Sequence, residues 1–367
     1  MDKPKLIRTA TIPTSLDIFC RGMLRELSSN YEVVAISSKG KELETIAKRE
    51  GVRTIGVNME RQISLFKDLV SLFQLVRVFR KERPDIVHSM TPKAGLLSMI
   101  AAKIARVPIR IHTFTGLVFP TATGLKKRLL MLTDKITCAC ATHIIPEGEG
   151  VKNDLTNYGI TNKPLHILGF GNVRGVDITY YHPSPAEHDG FVFLFIGRIV
   201  KDKGIRELVQ AFLSLPENAH LQLVGSIEPN DPVNDETMNI IKTHPRIRLH
   251  NYTDDVRPYY NQADCMVLPS YREGFPNVVL EAGAMQLPSI VTDINGSREI
   301  IINHTNGLIV PPKDCEHLKQ AMLYMLEHRT EAQAMGIAAR PVIEQKFEQS
   351  FVRQCLYNYY KEITHAV

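Results

Sequence analysis

The chain lacks a long apolar run. Its most apolar extended stretch, AGLLSMIAAKIARVP, is interrupted by Lys103 and Arg106, and nothing approaches the roughly 18–20 apolar residues of a membrane-spanning helix. Membrane contact is therefore expected to be peripheral. Paired cysteines are also lacking. Cys20, Cys138, Cys140, Cys265, Cys315 and Cys355 are scattered without CxxC spacing, which argues against a disulfide framework and fits a reducing cytoplasm. Cys138, Cys140 and His143 do not have zinc-site spacing and read as small residues of an apolar element. Charge is not concentrated. A net +5 suits an anionic ligand or membrane surface but is too diffuse for nucleic acid. The first residues, MDKPKLIRTATIP, carry charge without the apolar core of a signal peptide. No DxD pattern, a common metal-holding pair, is present. Asp231, Asp254 and Asp255 read as turn and cap residues.

What is there is alternation. The length of 367 residues favours two domains. KLIRTATI, YEVVAISS, VRTIGV, DIVHSM, IRIHTF, THIIPE and LHILGF read as strands. LDIFCRGMLRELSS, GKELETIAKREG, SLFKDLVSLFQLVRVFRKERP and KAGLLSMIAAKIARV read as helices between them. Such alternation predicts a parallel sheet wrapped by helices. The pattern pauses in GFGNVRGVDITYYHP and restarts with strand FVFLFIG, helix GIRELVQAFLSL, strands AHLQLVGS, RIRLHNY and ADCMVLPS, helix FPNVVLEAGAMQ and strand LPSIVTDI. Two doubly wound α/β domains follow, 1–170 and 171–346, with a C-terminal helix at about 347–367 returning to the first. Their mutual cleft is the expected ligand site. The glycines of GFGNVRG do not open a helix after a strand, so they read as an interdomain hinge rather than a dinucleotide fingerprint.

Two segments of the second half carry chemistry. In FIGRIVKDKG, Arg198 and Lys203 lie between a strand end and a helix start, where open sheets bind ligands. They could pair with phosphate oxygens, or be solvated surface cations. In SYREGFPNVVLEAGAMQLP, Gly274 permits close backbone approach, Pro276 suits a helix start and Asn277 an N-cap. An anion could rest on the amides of that helix terminus. Glu273 and Glu281 could accept sugar and ribose hydroxyls, or be a loop charge and a routine helix glutamate.

FIGRIVKDKGIRELVQAF, EGFPNVVLEAGAMQLPSIVTDINGSREII and NGLIVPP, in that order, resemble the strand–GR–KG–helix, E-x7-E and following elements of the retaining glycosyltransferases of family four, the group-one glycosyltransferases. The resemblance implies a GT-B fold: two Rossmann-like domains facing a deep cleft, the donor held mainly by the second. It implies that Arg198 and Lys203 contact the donor pyrophosphate and that Glu273 binds the donor sugar. Gly274, Phe275, Pro276, Asn277 and Val278 would line sugar and phosphates, Glu281 would hold the ribose, and Tyr252 would frame the base. DIVHSMTPKAGLLSMIAAKIARVP and RIHTFTGLVFPTATGLKKRLL resemble a bacterial subgroup acting on surface polysaccharides and lipid-linked oligosaccharides. There Met90 replaces a common histidine, Thr115 precedes Gly116 where a histidine is common, and Thr14-Ser15-Leu16 occupies the place of an early glycine pair. Thr14, Ser15, His88, Lys93, His112, Thr115 and Gly116 are the acceptor-side candidates.

The expected reaction is a retaining, metal-independent and cofactor-free transfer of a hexose or N-acetylhexosamine. The donor is expected to be a UDP-sugar and the acceptor a polyprenyl-diphosphate-linked sugar or saccharide, in capsule or surface-polysaccharide synthesis. Basic-apolar helices bearing Arg77, Arg80, Lys81 and Arg83, and Lys126, Lys127 and Arg128, would rest on the anionic inner face of the cytoplasmic membrane. The rival readings are a UDP-sugar 2-epimerase on the same fold and a non-catalytic nucleotide-sugar-binding protein.

Overall fold

The short apolar runs assemble into two parallel sheets. The computed structural model describes residues 3–60, 64–184, 186–228 and 231–365. The chain forms two units, residues 1–174 with 352–367, and residues 175–351.

In the first unit the strands are β1 (Lys5–Thr9), β2 (Glu32–Ser37), β3 (Arg53–Gly56), β4 (Ile86–Met90), β5 (Ile109–Phe114) and β6 (His143–Pro146). Their order in the sheet is β3-β2-β1-β4-β5-β6. This is the doubly wound order, whose reversal falls between β1 and β4. Both faces are covered, so the strands read as apolar runs rather than as a half-polar alternation. Ile7, Val34 and Ile36 face a core shared with Leu75, Phe79, Ala102 and Val151. Their neighbours Leu6, Val33 and Ala35 face the opposite core, shared with Leu16, Leu24 and Leu43.

The helix Gln349–His365 starts among residues of the second unit and packs on this second face through Leu356, Tyr359, Tyr360 and Ile363. Leu165 makes only an isolated bridge to Ile144, so the expected strand LHILGF is not one. The expected helix LDIFCRGMLRELSS is two, Pro13–Cys20 and Met23–Leu27. Gly22 between them has φ +74°, a conformation that costs a side-chain-bearing residue. The buried Glu50 carboxylate accepts the amides of Gly22 and Arg25 at 3.0 and 3.3 Å, restarting the helix at the break.

In the second unit the strands are β7 (Phe191–Ile196), β8 (Ala219–Val224), β9 (Ile247–His250), β10 (Cys265–Leu268), β11 (Ser289–Thr292) and β12 (Gly307–Val310). Their order, β12-β11-β10-β7-β8-β9, repeats the doubly wound pattern and places the reversal between β7 and β10. The central strand Phe191–Ile196 is buried along its whole length. Asn234 caps the helix Asp235–Thr243 through Thr237 N–H, so the cap is not Asp231. Asp255 accepts Arg257 N–H at 3.1 Å and its side chain at 2.8 and 2.7 Å, which depresses its carboxyl to about 2.

Candidate functional site

Ligands of doubly wound sheets gather where the strand order reverses, beyond the carboxyl ends of the two strands that part there. In the second unit those strands are β7 and β10. After β7 the chain runs through Arg198 into a short 3-10 turn, Lys201–Lys203, and then the helix Ile205–Leu213. After β10 it runs from Pro269 to Pro276 and into the helix Asn277–Ala284. Tyr271 N–H donates to the Asp202 carbonyl at 2.8 Å. Arg272 pairs with Asp202 at 2.9 Å, and Tyr271 Oη donates to Glu207 at 2.7 Å. Lys203 Nζ pairs with Glu273 Oε1, both side chains being mostly covered. The two loops therefore stand at fixed spacing, with cation and carboxylate brought together. Arg198 is exposed, and among the described residues no hydrogen bond or ion pair engages its guanidinium.

A third loop closes on this pair. Gly296, with φ +73°, lies so near the β10 loop that a Cβ there would come within 2.3 Å of the Gly274 carbonyl. Only glycine permits that approach.

The remaining donor candidates divide. Pro276, not Asn277, is the N-cap of the helix Asn277–Ala284, and no side chain caps it. A proline there offers no side-chain acceptor of its own to the helix start, where Val279 N–H donates to the Pro276 carbonyl at 3.1 Å, and a helix start of this kind suits an anion. Phe275 is 4% exposed, with its ring centroid 5.3 Å from that of Phe347; its side chain belongs to the core, and only its backbone is available to line a site. Val278 is half-buried and its carbonyl accepts Tyr260 Oη at 3.0 Å. Glu281 is buried and accepts the same phenol at 3.2 Å. Tyr252 is exposed in the loop after β9, donating to Asp254 at 3.0 Å.

In the first unit the reversal lies between β1 and β4. Thr14 and Ser15 sit in the first turn of the helix Pro13–Cys20, Thr14 exposed and Ser15 half-buried. Lys93 starts the helix Pro92–Ile104 and is paired with Asp68 at 2.7 Å. Thr115 and Gly116 follow β5 and are half-buried. His88 and His112 differ from these, since both are interior at 1% exposure.

The His88 ring sits in a closed network. Arg8 Nη1 lies 2.9 Å from His88 Nδ1 and 2.6 Å from Tyr360 Oη, which is itself 2.6 Å from His88 Nδ1. A guanidinium only donates, so Nδ1 is the acceptor and Nε2 carries the proton. Nε2–H then donates to Thr113 Oγ1 at 2.7 Å. Burial, reinforced by the Arg8 charge, holds this imidazole well below the usual histidine range. His112 Nδ1 meets Ser89 Oγ at 2.8 Å, and burial pushes it down to about 3. Both rings are neutral structural groups in this geometry. Among the described residues no group of three His, Cys, Asp or Glu side chains is placed to hold a metal ion.

Residues 190–328 match the family model described as "Glycosyl transferases group 1", and residues 18–171 match "Glycosyl transferase 4-like domain". The chain is 33% identical over 375 residues to the capsular polysaccharide biosynthesis glycosyltransferase CapM of Staphylococcus aureus, covering 98% of this chain and 97% of that protein. The chain belongs to the group 1 glycosyltransferases. This glycosyltransferase is also 28% identical to an Escherichia coli UDP-Gal:alpha-D-GlcNAc-diphosphoundecaprenol alpha-1,3-galactosyltransferase, over 73% of each chain. Its fold is shared with Anabaena HepE, solved in complex with UDP, at TM-score 0.81 and 16% identity, covering 98% of this chain and 100% of HepE. Sucrose-phosphate synthase from Thermosynechococcus elongatus superposes at TM-score 0.83 with 19% identity, each chain fully covered. The architecture is GT-B.

The sequence reading missed Asp202, Tyr271 and Arg272, which join the loops after β7 and β10. Asp202 and Arg272 left a signal as opposite charges directly beside Lys203 and Glu273, in KDK and YREG; Tyr271 left none. It missed Arg8 and Tyr360 altogether, because a contact across 352 positions leaves no local pattern.

Proposed function

We propose that this glycosyltransferase moves a hexose or N-acetylhexosamine from a UDP-sugar to a polyprenyl-diphosphate-linked saccharide in capsule or surface-polysaccharide synthesis. The observation that carries the proposal is the cationic loop pair at the β7–β10 reversal, with Glu273 beside Lys203. Likeness to CapM supports the place in capsule synthesis, and likeness to the E. coli UDP-Gal-dependent galactosyltransferase supports the donor and acceptor classes.

In the proposed reaction the bond between the sugar's anomeric carbon and the β-phosphate oxygen breaks. The acceptor hydroxyl forms its bond on the same face, giving retention, and its proton passes to the departing diphosphate. Negative charge grows on UDP. Arg198, Lys203 and the first-turn amides of the helix Asn277–Ala284 stabilise it, without metal or cofactor. Preorganised donors of this kind are each worth about 3–4 kcal/mol of barrier. Glu273 orients the sugar hydroxyls, Glu281 the ribose and Tyr252 the base, while Gly274, Phe275, Pro276, Asn277 and Val278 line the donor with backbone. Thr14, Ser15, Lys93, Thr115 and Gly116 stand on the acceptor side. His88 and His112 act there only by holding β4 and β5.

The proposed acceptor is a lipid, and the first unit has a surface suited to one. The helix Leu65–Glu82 exposes Leu65, Phe66, Leu69, Val70 and Phe73, with Phe66 at 79% and Phe73 at 67%. The helix Gly124–Cys140 exposes Leu125, Leu129 and Leu132 beside Lys126 and Arg128. Both helices pack against the helix Pro92–Ile104. Apolar residues flanked by cations fit the inner leaflet of an anionic membrane. No helix among the described residues is long and apolar enough to cross one.

Thermal-shift screening of UDP- and GDP-sugars tests the donor, since a ligand of the native state raises its melting point. One UDP-sugar is expected to stand out, and Arg198→Ala is expected to lower its turnover about a hundredfold. Full turnover in that variant would refute the leaving-group role.

A further inference from the structure

The ion pair between Lys203 and Glu273 joins the two groups that the proposed function assigns to opposite ends of one bond. Lys203 is to meet the diphosphate, and Glu273 the sugar. Their side chains are 19% and 15% exposed, so the pair is mostly covered. The ammonium has three donors, so carboxylate and phosphate can share it only as two negative charges set side by side. Parting of the loops is opposed by Tyr271 N–H and Arg272, which both bond Asp202 immediately beside the pair. Relief of that repulsion falls to the side chains.

We propose that the Lys203–Glu273 pair is a latch that tells a glycosyl diphosphate from a bare nucleoside diphosphate. The inference rests on the donor site proposed above. A UDP-sugar brings hydroxyl donors, which satisfy the Glu273 carboxylate as its phosphate oxygens take Lys203. UDP brings the anion without the hydroxyls. Glu273 then either keeps Lys203 or stands beside the diphosphate as a second, poorly solvated negative charge, which a mostly covered site disfavours. After transfer, the carboxylate that lost its sugar recovers Lys203 and drives UDP off. Glu273 thus acts twice, orienting the donor before transfer and opposing the product after it.

Titration calorimetry with UDP, and with whichever of UDP-glucose, UDP-galactose and UDP-N-acetylglucosamine binds best, separates these roles. Glu273→Gln keeps the side chain's shape and drops its charge. It is expected to bind UDP about two- to fivefold more tightly than the wild type, the range of a partly exposed pair, and to bind the UDP-sugar no more tightly. Product inhibition by UDP should strengthen in the same proportion. Glu273→Ala, tested beside it, should show the same selective gain. Unchanged or weaker UDP binding in these variants overturns the latch, and so does an equal gain for UDP and UDP-sugar, which would mark a bulk charge effect. Wild-type protein that binds neither UDP nor any of the three UDP-sugars overturns the donor site itself, an outcome distinct from failure of the latch.

Discussion

Replacing Tyr360 by phenylalanine tests how the first unit is held together. Arg8 is 2% exposed, and its only oxygen acceptor among the described hydrogen bonds is Tyr360 Oη at 2.6 Å. Its other partners are His88 Nδ1 at 2.9 Å, Met90 Sδ at 3.0 Å and Cys20 Sγ at 3.6 Å, while Nε is buried with no hydrogen-bond partner among the described residues. Sulfur is a weak acceptor. Burial pushes the Tyr360 phenol up to about 12, so it remains a neutral donor to His88 at physiological pH. Tyr360→Phe keeps the ring and removes one hydroxyl, so no large cavity opens. The loss is a hydrogen bond to a buried cation, worth roughly 1.5–3 kcal/mol, and the desolvated guanidinium left behind places the effect at the upper end. Urea denaturation of the full chain, followed by far-UV circular dichroism, should show the transition of the first unit move by about 2–3 kcal/mol. Arg8→Met combined with Tyr360→Phe should recover most of that loss, because an apolar pair replaces an unpaired buried charge. A shift of Tyr360→Phe below about 0.5 kcal/mol, the size of an ordinary surface change, would refute the reasoning.

Further predictions concern the same unit and the proposed membrane face. Gly95→Ala would place a Cβ 2.2 Å from His112 Cε1, and His112 is fixed by Ser89 and Phe114; a destabilisation of about 1–3 kcal/mol is expected in the same urea experiment. Acid should also destabilise this unit. His88 and His112 have folded pKa values depressed below the unfolded value of about 6.5. The unfolded chain therefore binds more protons below that pH, and stability falls as pH drops. Each ring should remove about 2 kcal/mol between pH 6.5 and 5, and a flat stability profile over that range would contradict their neutral burial. Phe66→Ser with Phe73→Ser should abolish low-salt sedimentation with phosphatidylglycerol vesicles while leaving the melting point in place, since both rings are exposed. Retained sedimentation would place the membrane face elsewhere.

The doubly wound sheets were legible because strands buried on both faces leave continuous apolar runs, as in FVFLFI and CMVL. LHILGF carries the same composition but ends in a turn, with Gly169 at φ +55° and a lone bridge at Leu165. Apolarity alone does not supply a neighbouring strand. The nearness of Lys203 to Glu273 was legible because each falls in the loop between a strand and the next helix, after β7 and after β10, where the strand order reverses. Phe275 and His88 were not. Phe275 turns toward Phe347, and His88 toward Arg8 and Tyr360. The direction of a side chain at a strand or loop end depends on partners brought in from the far end of the chain.

The most direct test of the donor site is a diffraction experiment on crystals soaked with UDP. The proposed donor site requires density for the diphosphate beyond β7 and β10, within hydrogen-bonding distance of Arg198 and of the amides that open the helix Asn277–Ala284. UDP bound elsewhere on the chain, with those loops unoccupied, would contradict it.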